Sequence, residues 1–368
     1  MSQVKVRGYC DHSNFGGVGG AVPDRVNLFR AQMLRSSGGN AWRMAHNPPI
    51  PFRLDIMDRI GMLAMDENRD YGGHVGQGGI TDETVEQEAV DMGDMVQRDR
   101  SHPSVMIWSF CNEVGCNNES SAALFRAISY FYDGSRGTTQ NSRGKGDHPL
   151  SAKSLDVQGF SHDKSAEFDS YHKNNPTKPM MATECCSCLS QRGEDYDTCD
   201  SPRPQKCKDG NYIGHNYNLT CHHDCVTGAQ KNYTDAFHTT GRFYNNEISQ
   251  CTASQVVMSD LRQLVAGTFV WSGFDYIGES RGYPQTVKCR GTVADIAGFI
   301  KESYYWMRLW WFSKIDAKDP GRPPLAVGNE NTVFIVESWR TGVTAAGKAL
   351  GPKRTVHVYT SAPMVKLD

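Results

Sequence analysis

The sequence lacks any apolar run that approaches the ~20 residues needed to cross a lipid bilayer, so we expect no membrane-spanning segment. It also lacks an excess of charge of either sign. Its 368 residues carry a formal net charge of −2, and the lysines and arginines are spread along the chain. Proteins that bind nucleic acid or anionic membranes present clustered basic residues. The charge pattern therefore predicts no nucleic-acid or membrane partner, and it suits a neutral substrate.

Cysteine, in contrast, is abundant, with 12 in the chain and eight of them between residues 185 and 251. Crowded cysteines in a polar, turn-rich segment predict a disulfide cluster. Zinc binding is the alternative, because segment 221–225 reads Cys-His-His-Asp-Cys. Asn-x-Ser/Thr triplets at Asn118, Asn218 and Asn232 are compatible with a glycoprotein. We predict a secreted or lysosome-like compartment, with the cytoplasm as the alternative.

Short strand-like runs alternate with helical segments along the chain, as expected for parallel strands that return through covering helices. The length accommodates a (β/α)8 TIM barrel of about 250 residues with insertions. The predicted helices cover residues 23–35, 52–60, 81–100, 164–173 and 253–264, and Thr81 is the predicted N-cap of the third. The predicted barrel strands are residues 4–8, 41–44, 62–65, 105–110, 135–140, 155–160, 179–183 and 267–271.

Two segments do not fit a plain barrel. Residues 185–252, between strands seven and eight, form a Cys-rich loop insertion far longer than an ordinary connection. After residue 312 the pattern changes, and residues 332–336 and 355–360 read as strands separated by Gly-rich turns. We predict a catalytic barrel domain over residues 1–312 and the start of a C-terminal β-sandwich domain over residues 313–368.

Two glutamates follow predicted strands. The run 105–110 leads to Asn112-Glu113, and the run 179–183 leads directly to Glu184. TIM barrels place catalytic residues at the C-terminal ends of their strands, so these two fit a pair of catalytic carboxylates. The competing glutamates lie in predicted helices or loops, without a buried strand to fix them: Glu167, Glu194 and Glu247.

Four segments resemble, in the expected order, glycoside hydrolase family 2, which contains β-galactosidases, β-glucuronidases and β-mannosidases. Residues 98–113, ending in Cys-Asn-Glu, resemble the family's acid/base signature. Residues 38–49 are similar to its "N-A-x-R-x-S-H-N-P-P" segment, 58–67 to its "D-R-x-G-L-x-V-x-D-E" segment, and 269–279 to its last barrel strand. The resemblance covers roughly residues 4 to 312. The family usually carries two β domains before the barrel, so we expect the chain to be a fragment or a truncated gene model.

The resemblance implies a retaining β-glycosidase. Glu113 would be the general acid/base, and Glu184 the nucleophile that forms a glycosyl-enzyme intermediate. Asn112 would contact the sugar's 2-hydroxyl, with a turn-capping amide as its alternative role. Arg43 would lie beneath the nucleophile and favour its ionised form. His162 stands where the family often has a tyrosine that hydrogen-bonds the nucleophile, so it is expected to replace that donor.

Other matching residues imply contacts with the sugar. His46 and His12 match histidines that line the sugar subsite, and Trp271 would provide an apolar platform for a pyranose ring. Asp66, which caps strand three with Glu67, would bind sugar hydroxyls or hold loops. Structural roles in the core are the alternatives for the histidines and for Trp271.

The resemblance also guides cofactor and substrate expectations. The family's metal-binding glutamate and histidine have no counterpart in segment 68–72, Asn-Arg-Asp-Tyr-Gly, so we expect no catalytic metal and no cofactor. The Asn-x-Lys triplet that marks β-glucuronidases is absent from the sequence, and the His46-Asn47-Pro48-Pro49 form favours galactosides over mannosides. We predict a carbohydrate partner, most simply a β-D-galactoside. A β-glucuronidase, a β-mannosidase or a noncatalytic carbohydrate-binding protein are the alternatives, and an oligomer is compatible with the sequence.

Overall fold

The computed structural model describes residues 4–69, 84–113, 119–142, 153–162, 165–186, 252–277, 287–288, 292–315, 333–335, 358–362 and 364–366. Eight parallel strands close into a barrel in sequence order, and the last strand pairs with the first. This confirms the predicted (β/α)8 barrel. The strands are β1 (Val6–Asp11), β2 (Ala41–Met44), β3 (Leu63–Glu67), β4 (Val105–Glu113), β5 (Gly137–Ser142), β6 (Gln158–Ser161), β7 (Met180–Cys186) and β8 (Val265–Trp271).

Seven helices lie between or after these strands in the described parts of the chain. They are α1 (Asp24–Ser36), α2 (Pro51–Ile60), α3 (Val85–Asp99), α4 (Glu119–Tyr132), α5 (Ser165–Asn174), α6 (Thr252–Leu261) and α7 (Glu302–Phe312). Helix α4 was not among the helices predicted from the sequence. Thr81, the predicted cap of α3, lies outside the described residues, and the helix begins after Thr84. Within the described residues, no helix is both long and apolar enough to span a bilayer.

The alternation of side chains along each strand separates the apolar residues inside the barrel from those outside it. Two clusters lie between the strands and the helices: one includes Trp42 and Trp108, and a smaller one includes Phe168. The third cluster fills the barrel and includes Cys10 and Met65. Because successive side chains point to opposite faces of a strand, the inward side chains of each strand are two residues apart. This alternation decides which polar residues near the strand ends face the barrel interior.

Strands β4 and β7 are longer than predicted. They continue to Glu113 and Cys186, past the predicted ends at residues 110 and 183. The pairing register of β4 against β5 shifts between Ser109 and Asn112. Such irregularities bend a strand and re-aim its side chains, and they are common beside active sites. Both predicted catalytic glutamates are therefore carried on the strands themselves.

Two small sheets follow the barrel. Strand β9 (Tyr276–Ile277) pairs antiparallel with β10 (Val287–Lys288), and β11 (Val333–Ile335) pairs antiparallel with β12 (Val358–Thr360). Phe334 stacks on Tyr305 of α7 with ring centroids 3.8 Å apart. The sandwich domain over residues 313–368 stays a prediction. Most of the predicted Cys-rich insertion, residues 187–251, lies outside the described residues.

Candidate active site

The strained backbone of the described chain is concentrated at one end of the barrel. Glu113, His162 and Cys186 are its non-glycine residues with positive φ, at 47°, 58° and 90°. They end β4, follow β6 and end β7, respectively. Residues held in the left-handed region cost free energy and cluster at functional sites. The carboxyl ends of these strands are therefore the candidate active site.

Arg43 lies fully buried in this site and joins two carboxylates. Its Nη1 donates a hydrogen bond to Glu184 Oε2 at 2.6 Å. Its Nε and Nη2 donate to Glu67 Oε2 and Oε1 at 2.8 and 2.7 Å. Nη2 also donates to Asn112 Oδ1 at 2.9 Å. Charge-assisted hydrogen bonds of this kind favour the ionised form of each carboxylate.

Glu184 is held as an anion by its surroundings. His162 Nε2 lies 2.7 Å from its Oε1, and Asn141 Nδ2 donates to its Oε2 at 3.1 Å. Burial raises the pKa of Glu184, but the hydrogen bond and charge of His162, together with the charges of Arg43 and His46, outweigh this effect. The pKa is therefore held well below its ordinary value. An ionised, oriented carboxylate is what a nucleophile at this position requires.

Glu113 faces Glu184 across His162. Ser161 Oγ donates a hydrogen bond to Glu113 Oε1 at 2.9 Å, and His162 Nε2 lies 3.8 Å from the same oxygen. One ligand atom each of Glu113, His162 and Glu184 all lie within 4.8 Å of one another. The two strand ends thus bring both predicted catalytic carboxylates to a single imidazole.

His12, His46 and Trp271 meet in an aromatic wall that also contains Tyr276. The His46 ring stacks on Trp271, with planes 3° apart and centroids separated by 5.1 Å. His12 contacts Trp271 and Tyr276 edge-on at 4.8 and 4.6 Å, and Trp271 Nε1 donates to Tyr276 Oη at 3.0 Å. Burial lowers the pKa of His46, but the hydrogen bond and charge of Glu67 overcome this and raise it above its ordinary value. His46 covers one face of Trp271, so the predicted platform is partly occupied by protein.

Asp66 does not join the other predicted site residues. It alternates with the inward-facing Met65 and Glu67, so its carboxyl is buried on the side of β3 that faces the helices. Burial and the neighbouring Asp99 carboxyl raise its pKa well above the ordinary value, which favours the protonated form. This corrects the expectation that Asp66 binds sugar hydroxyls. Its neighbour Glu67 is the residue that faces the site.

Several residues of the site were not predicted from the sequence. Ser109 Oγ donates to Glu67 Oε2 at 2.9 Å, and Asn141 Nδ2 donates to Asn112 Oδ1 at 2.7 Å. Thr183 Oγ1 donates to Asn141 Oδ1 at 2.7 Å. For Ser109, Asn141, Ser161 and Thr183 the one available signal was their position at or next to the ends of predicted strands, and Tyr276 lies in the segment 269–279 that resembles the family's last barrel strand. The missed residues are Ser109, Asn141, Ser161, Thr183 and Tyr276.

The described residues contain two groups that could hold a metal ion by ligand spacing. The first consists of Glu113, His162 and Glu184, whose carboxylates are also the predicted catalytic pair. In the second group, Asp58 accepts a hydrogen bond from the Ser104 backbone N–H at 2.8 Å and pairs with His102 Nδ1 at 2.7 Å. These contacts give Asp58 and His102 a structural role. The members of the second group are Asp55, Asp58 and His102.

The fold and the site define a (β/α)8 barrel whose carboxylates converge from the ends of β4 and β7, an arrangement suited to glycosidic bonds. The family model "Glycosyl hydrolases family 2, TIM barrel domain" matches residues 2–281. The chain therefore belongs to glycosyl hydrolase family 2, as its motifs indicated.

Similar proteins include a β-galactosidase of Bacteroides ovatus, which is 27% identical over 367 residues. That alignment covers 85% of this chain and 39% of the relative. A β-glucuronidase of Sus scrofa is 31% identical over 96 residues, which cover 26% of this chain and 15% of the relative. The chain thus spans well under half the length of these relatives. The crystal structure of a β-glycosidase from Bacteroides vulgatus shares the fold, with a TM-score of 0.65, 24% identity, and coverage of 98% of this chain and 47% of that one.

Proposed function

We propose that the protein is a retaining glycoside hydrolase that cleaves terminal β-linked sugars by double displacement. The supporting observation is the convergence of Glu113, His162 and Glu184, with one ligand atom of each within 4.8 Å of the others. Retaining glycosidases keep their two carboxyl groups about 5–5.5 Å apart, whereas inverting enzymes need about 6.5–9.5 Å to admit a water molecule. The close approach of one oxygen from each carboxylate, within 4.8 Å, supports direct attack by one of them.

In the first step, the Glu184 carboxylate attacks the anomeric carbon and forms an ester with the sugar. The bond to the leaving oxygen breaks as Glu113 donates its proton to that oxygen. In the second step, Glu113 takes a proton from water, and the water oxygen displaces Glu184. Glu184 loses its negative charge in the ester, but Arg43 keeps Glu67 as its counter-ion. The buried guanidinium is therefore never left without a negative partner.

Asn112 is arranged to contact the sugar. Its Oδ1 accepts hydrogen bonds from Arg43 Nη2 at 2.9 Å and from Asn141 Nδ2 at 2.7 Å. These two donors fix the orientation of the amide, because only its oxygen can accept them. The N–H donors of Asn112 lie on the opposite side of the amide. They can bond a 2-hydroxyl, a contact that strengthens as the transition state develops.

A β-D-galactoside is the proposed substrate. The absence of an Asn-x-Lys triplet supports a neutral sugar. The Bacteroides ovatus relative is a β-galactosidase, and His12 and His46 lie together in the aromatic wall of the site, where their imidazoles are available as donors to sugar hydroxyls. A β-glucuronide is the second candidate, supported by the similarity to the Sus scrofa β-glucuronidase.

The proposal is tested by assaying the 368-residue chain on chromogenic β-galactoside, β-glucuronide and β-mannoside. We expect hydrolysis of the galactoside and its loss in Glu113→Gln and Glu184→Gln. A 2-fluoro-galactoside should label Glu184, as read by peptide mapping. Equal inactivity of the wild type and both variants on every sugar would leave a noncatalytic carbohydrate-binding protein, and a label on another residue would reject the assigned nucleophile.

We also propose that the protein resides in an oxidising compartment, secreted or lysosome-like. In the described part of the chain, Cys185 and Cys186 form a disulfide, and Cys111 is also disulfide-bonded, while Cys10 is a buried free thiol. Disulfides persist mainly outside the reducing cytosol. Thiol titration of the denatured protein purified from its natural source tests this: twelve free thiols would support the cytoplasm instead.

A further inference from the structure

Ser161 and His162 are adjacent in sequence, yet both reach the catalytic carboxylates. In a regular strand, adjacent side chains point to opposite faces. Here the register of β6 against β7 shifts between Phe160 and Ser161, and His162 has a φ of 58°. A local irregularity of this kind turns a side chain that would otherwise point away. The end of β6 is therefore built to present two neighbouring side chains to one site.

These two side chains have different partners. Ser161 Oγ donates to Glu113 Oε1 at 2.9 Å. His162 Nε2 lies 2.7 Å from Glu184 Oε1, and the His162 backbone N–H donates to the Glu184 carbonyl at 2.8 Å. One dipeptide thus ties together the carboxylates of β4 and β7.

The Glu113 and Glu184 carboxylates compete for the same nitrogen of His162. His162 Nε2 is also 3.8 Å from Glu113 Oε1, the same oxygen that Ser161 binds. One imidazole nitrogen carries at most one proton, so it can donate fully to only one carboxylate. A small rotation of Glu113 would bring its oxygen into hydrogen-bonding range of His162. The Ser161 hydroxyl opposes that rotation.

We propose that Ser161 is a positioning residue for Glu113. Its hydroxyl holds the acid/base carboxyl apart from His162, which reserves His162 for the nucleophile and leaves Glu113 directed at the leaving oxygen. This inference rests on the proposed glycosidase function. It assigns to Ser161 a role in proton donation that differs from a general contribution to folding.

Loss of the hydroxyl should impair acid catalysis selectively. A glycoside with a poor leaving group needs a proton from Glu113, whereas a dinitrophenyl glycoside leaves with little help. One hydrogen bond contributes enough free energy for an effect of about tenfold. For Ser161→Ala, we expect kcat/KM to fall about tenfold on a poor leaving group and less than about threefold on the dinitrophenyl glycoside.

The experiment uses the sugar that the wild type hydrolyses fastest, joined to each leaving group. Ser161→Thr keeps a hydroxyl and should restore kcat/KM on the glycoside with the poor leaving group. Ser129→Ala removes a buried hydroxyl that bonds the Phe125 carbonyl in α4, and should match the wild type on both substrates. If Ser161→Ala does not fold, Ser161→Cys gives the same comparison, because a thiol is a weak donor of similar size.

The possible results distinguish a failure of the role assigned to Ser161 from a failure of the proposed glycosidase function. An equal loss on both leaving groups, or no restoration by threonine, shows a structural role and overturns the inference while the function stands. A wild type that is inert on every glycoside overturns both.

Discussion

Arg43 and Glu67 form a two-pronged ion pair inside the barrel, with Nε–Oε2 at 2.8 Å and Nη2–Oε1 at 2.7 Å, and neither side chain is exposed. Glu67 also accepts hydrogen bonds from Ser109 and pairs with His46. It is thus the fixed anion around which the site is organised. In the proposed mechanism it would remain charged while Glu184 is esterified.

Glu67→Gln should therefore weaken both stability and turnover. Hydrogen bonds to buried charged groups contribute about 1.5–3 kcal/mol, and we expect the free energy of unfolding in urea to fall by that amount. The glycosyl-enzyme would hold Arg43 without an anionic partner, so kcat/KM should also fall. Glu119→Gln, an exposed carboxylate at the start of α4, is the matched control and should stay within about 0.5 kcal/mol of wild type. A Glu67→Gln variant as stable and active as the wild type would refute this role.

Replacing His162 should shift the pH dependence of the reaction. The hydrogen bond and charge of His162 are the strongest influences that oppose burial and lower the pKa of Glu184. In His162→Phe that pKa rises, so Glu184 becomes protonated at a higher pH. The acidic limb of the kcat/KM profile should therefore move upward in pH. His162→Tyr restores a neutral donor and should recover part of the shift, and an unmoved limb in His162→Phe would contradict the assignment.

Most of the barrel was predictable because strands such as β4 and β7 begin as short apolar runs after polar segments, which is a local signal. Strand β5 is polar throughout and gives a weaker signal. Helix α4 was not predicted, although Ala122, Phe125, Ile128 and Tyr132 recur at helical spacing and contact the core. Its buried face also contains the polar Ser121 and Ser129, which weaken the contrast between the two faces of the helix.

The site was predictable only in part. Glu113 and Arg43 belong to local motifs, and Glu184 directly follows a predicted strand, so the positions of all three could be read from the sequence. Ser161 and Asn141 act through partners on other strands, and those partners depend on pairing register. The register shifts at Ser109/Asn112 and Phe160/Ser161 are not encoded in residue spacing alone.

The contact proposed for Asn112 has a test that isolates one hydroxyl group. Removing one preorganised transition-state donor costs about 10²–10³ in rate, so Asn112→Ala should lose that much on a galactoside. A 2-deoxygalactoside lacks the partner hydroxyl, so on this substrate the same substitution should cost much less. Asn141→Ala should be measured on the same two substrates for comparison, because it removes a side chain that hydrogen-bonds both Asn112 and Glu184. Equal losses of Asn112→Ala on both substrates would show that Asn112 only supports Arg43.

Replacing Asp66 should change the stability of the protein but not its catalysis. Its pKa is raised in the folded protein by burial and by Asp99. A raised carboxyl pKa contributes stability that is fully present below the unfolded pKa of about 3.9 and is lost as the pH rises through the folded value. The variant Asp66→Asn has a neutral side chain at this position at every pH, so its free energy of unfolding should exceed that of the wild type at about pH 7. This difference should become smaller as the pH falls toward about 4. Because Asp66 faces the helices, KM and kcat should not change, and an increased KM would return Asp66 to the sugar site.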